Sequence, residues 1–207
     1  MTTNPESFAT PELRAIAVLR CPAVVHHQAP RQSGLGRGPS GEIRVHQSFQ
    51  NGLADLDGFS HIWLLFWCHH ARGAPLRVQP PRDAHKRGVF ATRSPQRPNP
   101  IGMSVVRLLG RDRRILRIAD HDLLDGTPIL DIKPYLPYCD SIPDATTGYV
   151  GSLPESAPDH RAWWRDKAID PPACYRPLLS ELRQFGAVRN RPARSVTDPF
   201  PNPTSEG

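Results

Sequence analysis

The sequence predicts a mainly β protein: a single barrel or sandwich-like domain followed by a small helical C-terminal segment. Proline is abundant, with 24 among 207 residues, more than twice the usual share of about 5%. So many prolines favour short strands joined by stiff loops over long helices. Several short segments also alternate polar and apolar residues, which is typical of half-buried strands. Convincing helical periodicity is confined to residues 159–185, where apolar residues gather on one side.

The first half of the chain supplies three predicted strands. Residues 13–19 form an apolar first strand, and residues 41–46 alternate as a half-buried strand does. Residues 49–56 predict one or two helical turns. Residues 59–68 are the most apolar stretch, and their aromatic and branched side chains suit a central strand buried on both faces.

The second half continues with short strands, predicted at residues 88–91, 103–109, 115–119 and 128–132. Residues 111–114 form the tip of the hairpin between the second and third of these. Asp125-Gly126 is a tight-turn signal that precedes the last strand.

We expect one domain over residues 13–150, a helical segment over 151–190 and a disordered tail over 191–207. The sequence contains no apolar run near the roughly 20 residues that a membrane helix needs, and we expect no membrane association. Its four cysteines lie far apart without a CxxC pair, which suits a reduced, cytoplasmic setting.

The formal net charge of +6 is compatible with a nucleic-acid partner. An arginine-rich, solvated surface explains the same charge nearly as well.

The loop over residues 92–99 is the strongest candidate for a functional segment. Three prolines at 95, 98 and 100 fix the backbone around it. The loop displays the guanidinium groups of Arg93 and Arg97, and such groups bind carboxylate or phosphate bidentately. The alternative is a proline-braced turn with solvated arginines.

Three other kinds of site are disfavoured by the motifs. The nine histidines show none of the usual metal-ligand spacings, so we expect no metal. The glycines of residues 33–38 lack the spacing of a dinucleotide or P-loop motif. The sequence has no GxSxG, which disfavours serine hydrolysis.

Four polar segments remain, each at a predicted strand end: residues 30–32, 69–70, 92–99 and 120–131. Strand ends of a barrel can converge on one mouth, where loops build sites. Arginines facing carboxylates suit a zwitterionic ligand such as S-adenosylmethionine. The aspartates could equally be turn and capping residues, which is their usual role, and spacing does not decide between the two.

Three long segments resemble the TsaA-like or TrmO family: residues 56–67, 88–102 and 122–138. The resemblance implies a single-sheeted β-barrel that works as a homodimer. It also implies methylation, from S-adenosylmethionine, of N6 of a threonylcarbamoylated adenosine just 3′ of the tRNA anticodon.

The resemblance also implies site residues. The cofactor contacts carried over from the family motifs are Pro30, Arg31, Gln32, His69, His70, Arg93, Met103, Asp122, Leu123, Leu124 and Asp125. We expect Asp131, Lys133 and Tyr135 to face the reacting base as catalytic residues, and Arg97 and Asn99 to contact substrate. Two alternatives stay open: a same-fold methyltransferase acting on a small molecule, and a non-catalytic module that binds S-adenosylmethionine.

Overall fold

The computed structural model describes residues 12–24, 29–30, 32–33, 38–80 and 83–153. The predicted helical segment at 159–185 and the predicted tail at 191–207 lie outside these residues, as does Arg31.

Eight short strands are present in the described part of the chain. They are β1 (Ala17–Arg20), β2 (Gly41–Val45), β3 (His61–Trp67), β4 (Arg77–Val78), β5 (Arg87–Gly88), β6 (Ile101–Asp112), β7 (Ile115–Ala119) and β8 (Pro128–Pro134). Six of them close into a barrel in the order β1-β2-β7-β6-β3-β8, while β4 and β5 form a separate ribbon. The predicted mainly β barrel is confirmed.

The barrel core follows from the period-two alternation of its strands. In β2, Ile43 and Val45 are buried while Arg44 between them is exposed. In β7, Leu116 and Ile118 are fully buried on either side of the exposed Arg117. Because successive strand side chains point to opposite faces, one face fills the barrel and the other forms its outer wall.

All neighbouring strands of the barrel are antiparallel. The ends of β1, β3 and β7 therefore lie at the same end of the barrel as the starts of β2, β6 and β8. Three connections begin and end there, and their described parts are residues 21–24, 29–30, 32–33 and 38–40 in the first, 68–80 and 83–100 in the second, and 120–127 in the third. We call this end the barrel mouth, and it confirms the expected convergence of strand ends.

Helical structure in the described residues is limited to α1 (Pro137–Asp140) and to 3₁₀ turns at Gln47–Leu53, Val89–Ala91 and Gly148–Ser152. The turn at Gln47–Leu53 fulfils the helical prediction for 49–56. Among these residues no helix has the length and apolar character needed to cross a membrane.

Several details differ from the sequence predictions. Strand β6 starts two residues earlier and ends three residues later than predicted, so Arg111 and Asp112 belong to the strand and not to the hairpin tip, and β8 continues to Pro134. The first strand begins at Ala17 rather than at residue 13. Residues 88–91 are not a buried strand, because β5 ends at Gly88 and a 3₁₀ turn exposing Phe90 follows. Strand β3 is buried on one face only: Ile62 and Leu64 are fully buried, but Trp63 between them is only half-buried.

Candidate functional site

At the barrel mouth, the contacts of Arg93 and Asp122 bring together three segments that are far apart in the sequence. The Arg93 guanidinium donates a hydrogen bond to the side-chain oxygen of Gln32, at 2.8 Å. The Asp122 carboxylate accepts from the Ser104 hydroxyl, at 2.6 Å, and from the backbone of Ser33. The 29–33 segment, the 92–99 loop and the 120–127 turn therefore meet at the barrel mouth.

The Asp122 carboxylate has a distinctive electrostatic environment. Burial raises its pKa, because the low-dielectric surroundings disfavour the charged form. Hydrogen bonds from Ser104 and Ser33, and the charge of Arg93, act in the opposite direction but do not cancel the effect of burial. A partly desolvated carboxylate of this kind suits a cationic partner.

The two histidines after β3 lie at the same end of the barrel. The imidazole rings of His69 and His70 have centroids 4.0 Å apart. His69 is buried, with its Nδ1 atom 3.4 Å from the hydroxyl of Thr127, the residue just before β8. This contact links the end of β3 to the 120–127 turn.

The 92–99 loop is held by its own hydroxyl and backbone groups as well as by its prolines. The Thr92 hydroxyl donates to the Val89 carbonyl, at 2.8 Å, and accepts from the Ser94 amide, at 3.3 Å. Arg97 turns its guanidinium back to the Thr92 carbonyl, at 3.4 Å. Asn99 is exposed at the far end of the loop.

Asp125 binds within the protein rather than facing open space. Its carboxylate accepts from the Arg20 guanidinium and from the Cys21 amide, each at 3.1 Å. Its own amide donates to the Ala23 carbonyl, at 2.7 Å. These contacts attach the 120–127 turn to the end of β1, and a contact of Asp125 with a cofactor stays a prediction.

Leu123 and Leu124 are only 2% and 7% exposed. Both belong to the buried part of the turn, and a contact with a cofactor stays a prediction for them. Pro30 is half-buried in the same region.

The other site residues predicted by the resemblance lie on the outer wall of the barrel. Met103 and Asp131 both pair with Leu65, on opposite sides of β3. The Lys133 ammonium is 2.7 Å from the Asp131 carboxylate, and the Tyr135 ring lies 5.8 Å from the Trp63 ring. Met103 is 58% exposed, whereas its neighbour Ser104 is buried and points toward Asp122.

The predicted residues thus fall into two groups: the barrel-mouth group with Arg93 and Asp122, and the outer-wall group with Met103, Asp131, Lys133 and Tyr135. Asp131 is four residues beyond Thr127, about 13 Å along a strand.

Ser104 and Thr127 were not singled out from the sequence, although both are buried polar residues that bind predicted site residues. A lone serine inside the apolar segment 103–109 was the available signal, since a buried hydroxyl needs a partner.

Two of the described cysteines, Cys21 and Cys68, lie at the mouth. Burial raises the pKa of both Cys21 and Cys68 to about 12, so both thiols are protonated at neutral pH.

The described residues form a closed six-stranded barrel that carries a half-buried carboxylate and an exposed guanidinium at one end, so the protein is of the β-barrel class with charged groups at the barrel mouth. The chain belongs to the tRNA-methyltransferase O N-terminal domain family, whose model matches residues 18–141. The family resemblance inferred from the three motifs is confirmed.

Relatives cover most of the chain. It is 38% identical over 194 residues to the tRNA (adenine(37)-N6)-methyltransferase of Escherichia coli K12, covering 88% of this chain and 83% of that protein. An S-adenosyl-L-methionine-binding protein of Archaeoglobus fulgidus is 41% identical over 130 residues, covering 63% and 93%. The crystal structure of TrmO from Pseudomonas aeruginosa has a TM-score of 0.61 at 38% identity, covering 72% of this chain and 66% of that one. The chain spans only 37% of the length of another Archaeoglobus relative.

Asp125→Ala is expected to destabilise the fold, by about 1–3 kcal/mol in the free energy of unfolding, because the Cys21 amide and the Arg20 guanidinium lose their acceptor. Urea unfolding followed by circular dichroism measures this change. Asp144→Ala, in an exposed loop, is the matched control. Equal stability of the two variants would contradict the anchoring role.

Proposed function

We propose that the chain transfers a methyl group from S-adenosylmethionine to N6 of adenosine 37 in tRNA. The observation that carries the proposal is the meeting of Arg93 and Asp122 at the barrel mouth, in a member of this family. The Escherichia coli relative is named for this reaction, and the Archaeoglobus relative is named for binding this cofactor.

The chemistry of the barrel mouth fits the cofactor. S-adenosylmethionine carries a carboxylate, an ammonium and a sulfonium. The Arg93 guanidinium is exposed and suits the carboxylate, since its planar fork matches that geometry. The half-buried Asp122 carboxylate suits a cationic group. When bound, the cofactor supplies a methyl group attached to a positively charged sulfur. The neutral thioether that remains after methyl transfer is a good leaving group.

The protein's main contribution is alignment, because a displacement at a sulfonium depends strongly on the positions of donor and acceptor. The bonds within the 92–99 loop fix Arg93, and the Arg20–Asp125 pair fixes the turn that carries Asp122. Asp131 is proposed to accept the proton from N6, or Lys133 to polarise the base; the ion pair between them, at 2.7 Å, positions the two groups.

The finer substrate assignment is a threonylcarbamoylated adenosine, and the proposed setting is the cytoplasm. The test is transfer of radiolabelled methyl from S-adenosylmethionine by the purified full chain. We expect transfer to tRNA that carries N6-threonylcarbamoyladenosine at position 37, and none to the same tRNA lacking that group. Equal transfer to both tRNAs would reject threonylcarbamoylated adenosine as the specific substrate. Cofactor binding with transfer to neither would reject the proposed function.

Two variants separate the barrel-mouth group from the outer-wall group. Arg93→Ala is expected to weaken cofactor binding about 10- to 100-fold, the value of a lost charge-assisted hydrogen bond, while Arg93→Lys retains part of the affinity. Asp131→Asn is expected to leave that affinity near normal and to lower kcat by about 10²-fold or more. Calorimetric titration and methyl transfer measure the two effects. Unchanged affinity in Arg93→Ala, or unchanged turnover in Asp131→Asn, removes that residue from its role.

We also propose that the protein works as a homodimer. In one chain Asp131 and Lys133 lie on the outer wall, on the opposite face of the sheet from Asp122. The same wall exposes Ile101 and Met103, by 37% and 58%, and its ion pair is internally neutral. A second copy covering this wall would remove the apolar exposure and bring another barrel mouth near Asp131. We expect the mass of two chains by sedimentation; the mass of one chain would contradict this.

A further inference from the structure

Phe90 is an exposed aromatic residue that neither the core nor the cofactor site uses. Its side chain is 76% exposed, whereas the preceding Val89 is 1% exposed. A single exposed apolar side chain is common and needs no explanation by itself. Phe90 differs from other exposed apolar residues in two ways: hydrogen bonds hold the turn that carries it, and the adjoining sequence is basic.

The backbone on both sides of Phe90 is fixed. The Val89 amide donates to the Leu76 carbonyl, at 2.9 Å. The Val89 carbonyl accepts from both the amide and the hydroxyl of Thr92, at 3.1 and 2.8 Å. Phe90 therefore stands on a short 3₁₀ turn whose two neighbours are both held.

A second set of contacts supports the turn from the other side. The Tyr149 hydroxyl donates to the Ala91 carbonyl, at 3.1 Å. The Arg87 guanidinium lies over the Tyr149 ring, 4.5 Å from its centroid, and is bound to the buried Asp83 at 2.6 Å. Residues from three separate segments thus hold a turn whose central side chain faces solvent, and a rigid aromatic surface of this kind loses little entropy on stacking.

The sequence on both sides of Phe90 is basic. The chain contains no acidic residue between Asp83 and Asp112, and Asp83 is occupied by Arg87. Arg77 on β4 and Lys86, the residue before β5, are both exposed, and the Arg77 guanidinium donates to the Lys86 carbonyl at 2.9 Å. An aromatic side chain among cations is the usual platform for single-stranded RNA, because bases stack on the ring while the cations attract phosphates.

Phe90 is close enough to the barrel mouth for neighbouring nucleotides to occupy both places. Arg93 is three residues away, which is at most about 11 Å along the chain. A nucleotide stacked on Phe90 would therefore neighbour one placed at the mouth.

We propose that Phe90 stacks on an unpaired base of the tRNA anticodon loop next to the methylated adenosine, with Lys86 and Arg77 close to the RNA backbone. This inference rests on the proposed function. RNA is favoured over a second copy of the chain because two such surfaces would bring like charges together, whereas the outer wall carries a neutral ion pair.

The test uses the full chain and an anticodon stem-loop RNA with 2-aminopurine beside position 37. Phe90→Ala and Phe90→Leu are expected to raise the KM for tRNA by about 5- to 150-fold, the value of one base–aromatic stack, and to abolish the stacking-dependent quenching of 2-aminopurine. Phe90→Trp should retain both properties, and cofactor affinity should be unchanged in all three variants. Ile142→Ala, at another exposed apolar position, is the matched control.

Three results would overturn the inference: an unchanged KM in Phe90→Ala, full activity in Phe90→Leu, or conversion of a dimer to a single chain by Phe90→Ala. The last result would assign this surface to a subunit interface. If the wild-type protein methylates tRNA but the variants match it, only the role of Phe90 fails. If the wild-type protein neither binds the stem-loop nor methylates tRNA, the proposed function fails with it.

Discussion

The pairing of β8 with both β1 and β3 is the constraint on which the rest of the structure depends. It closes the ring, and so removes the exposed edges that an open sheet would present. It also fixes the start of β8 between the ends of β1 and β3. The 120–127 turn, which leads into β8, is therefore held against Cys21 on one side and His69 on the other.

Closure also explains how groups of opposite charge meet without being neighbours in the sequence. Asp122 and Arg93 are carried by different connections, yet both connections end at the barrel mouth. Internal bonds hold each one: the Asp125 anchor for the turn and the Thr92 bonds for the loop. Preorganised charges of this kind need little rearrangement when a ligand arrives, which favours binding at low entropic cost.

Much of the fold could be predicted from alternation alone. The predicted strand at 115–119 matches β7, and the prediction at 41–46 differs from β2 by one residue. The strand prediction for residues 88–91 is wrong because a run of four apolar residues is too short to show whether it has the period of a strand or of a helix. The prediction that residues 59–68 are buried on both faces is wrong because aromatic side chains are also found on the half-exposed outer wall of a barrel, as Trp63 is.

The site was less predictable, because sequence reveals residue types but not distances. Asp122 and Asp125 look equivalent within one turn, yet one binds Ser104 and the other binds Arg20. The hydrogen bond from Ser104 to Asp122 forms because the Ser104 side chain points into the barrel. The apolar segment 103–109 does not show which of its side chains point inward. The separation of Asp131 from the barrel mouth likewise depends on which face of β8 looks outward.

That face is set by one irregular step in the ladder between β3 and β8. Leu65 pairs with Asp131 but the next residue, Phe66, pairs with Ile129, which leaves Leu130 as a surplus residue. In an unbroken register, strict alternation from the buried Ile129 would turn Asp131 into the barrel interior and Ile132 out to water. The surplus residue inverts the alternation of side chains along β8. The first half of the strand therefore buries apolar side chains in the core, while the second half exposes charged side chains to solvent.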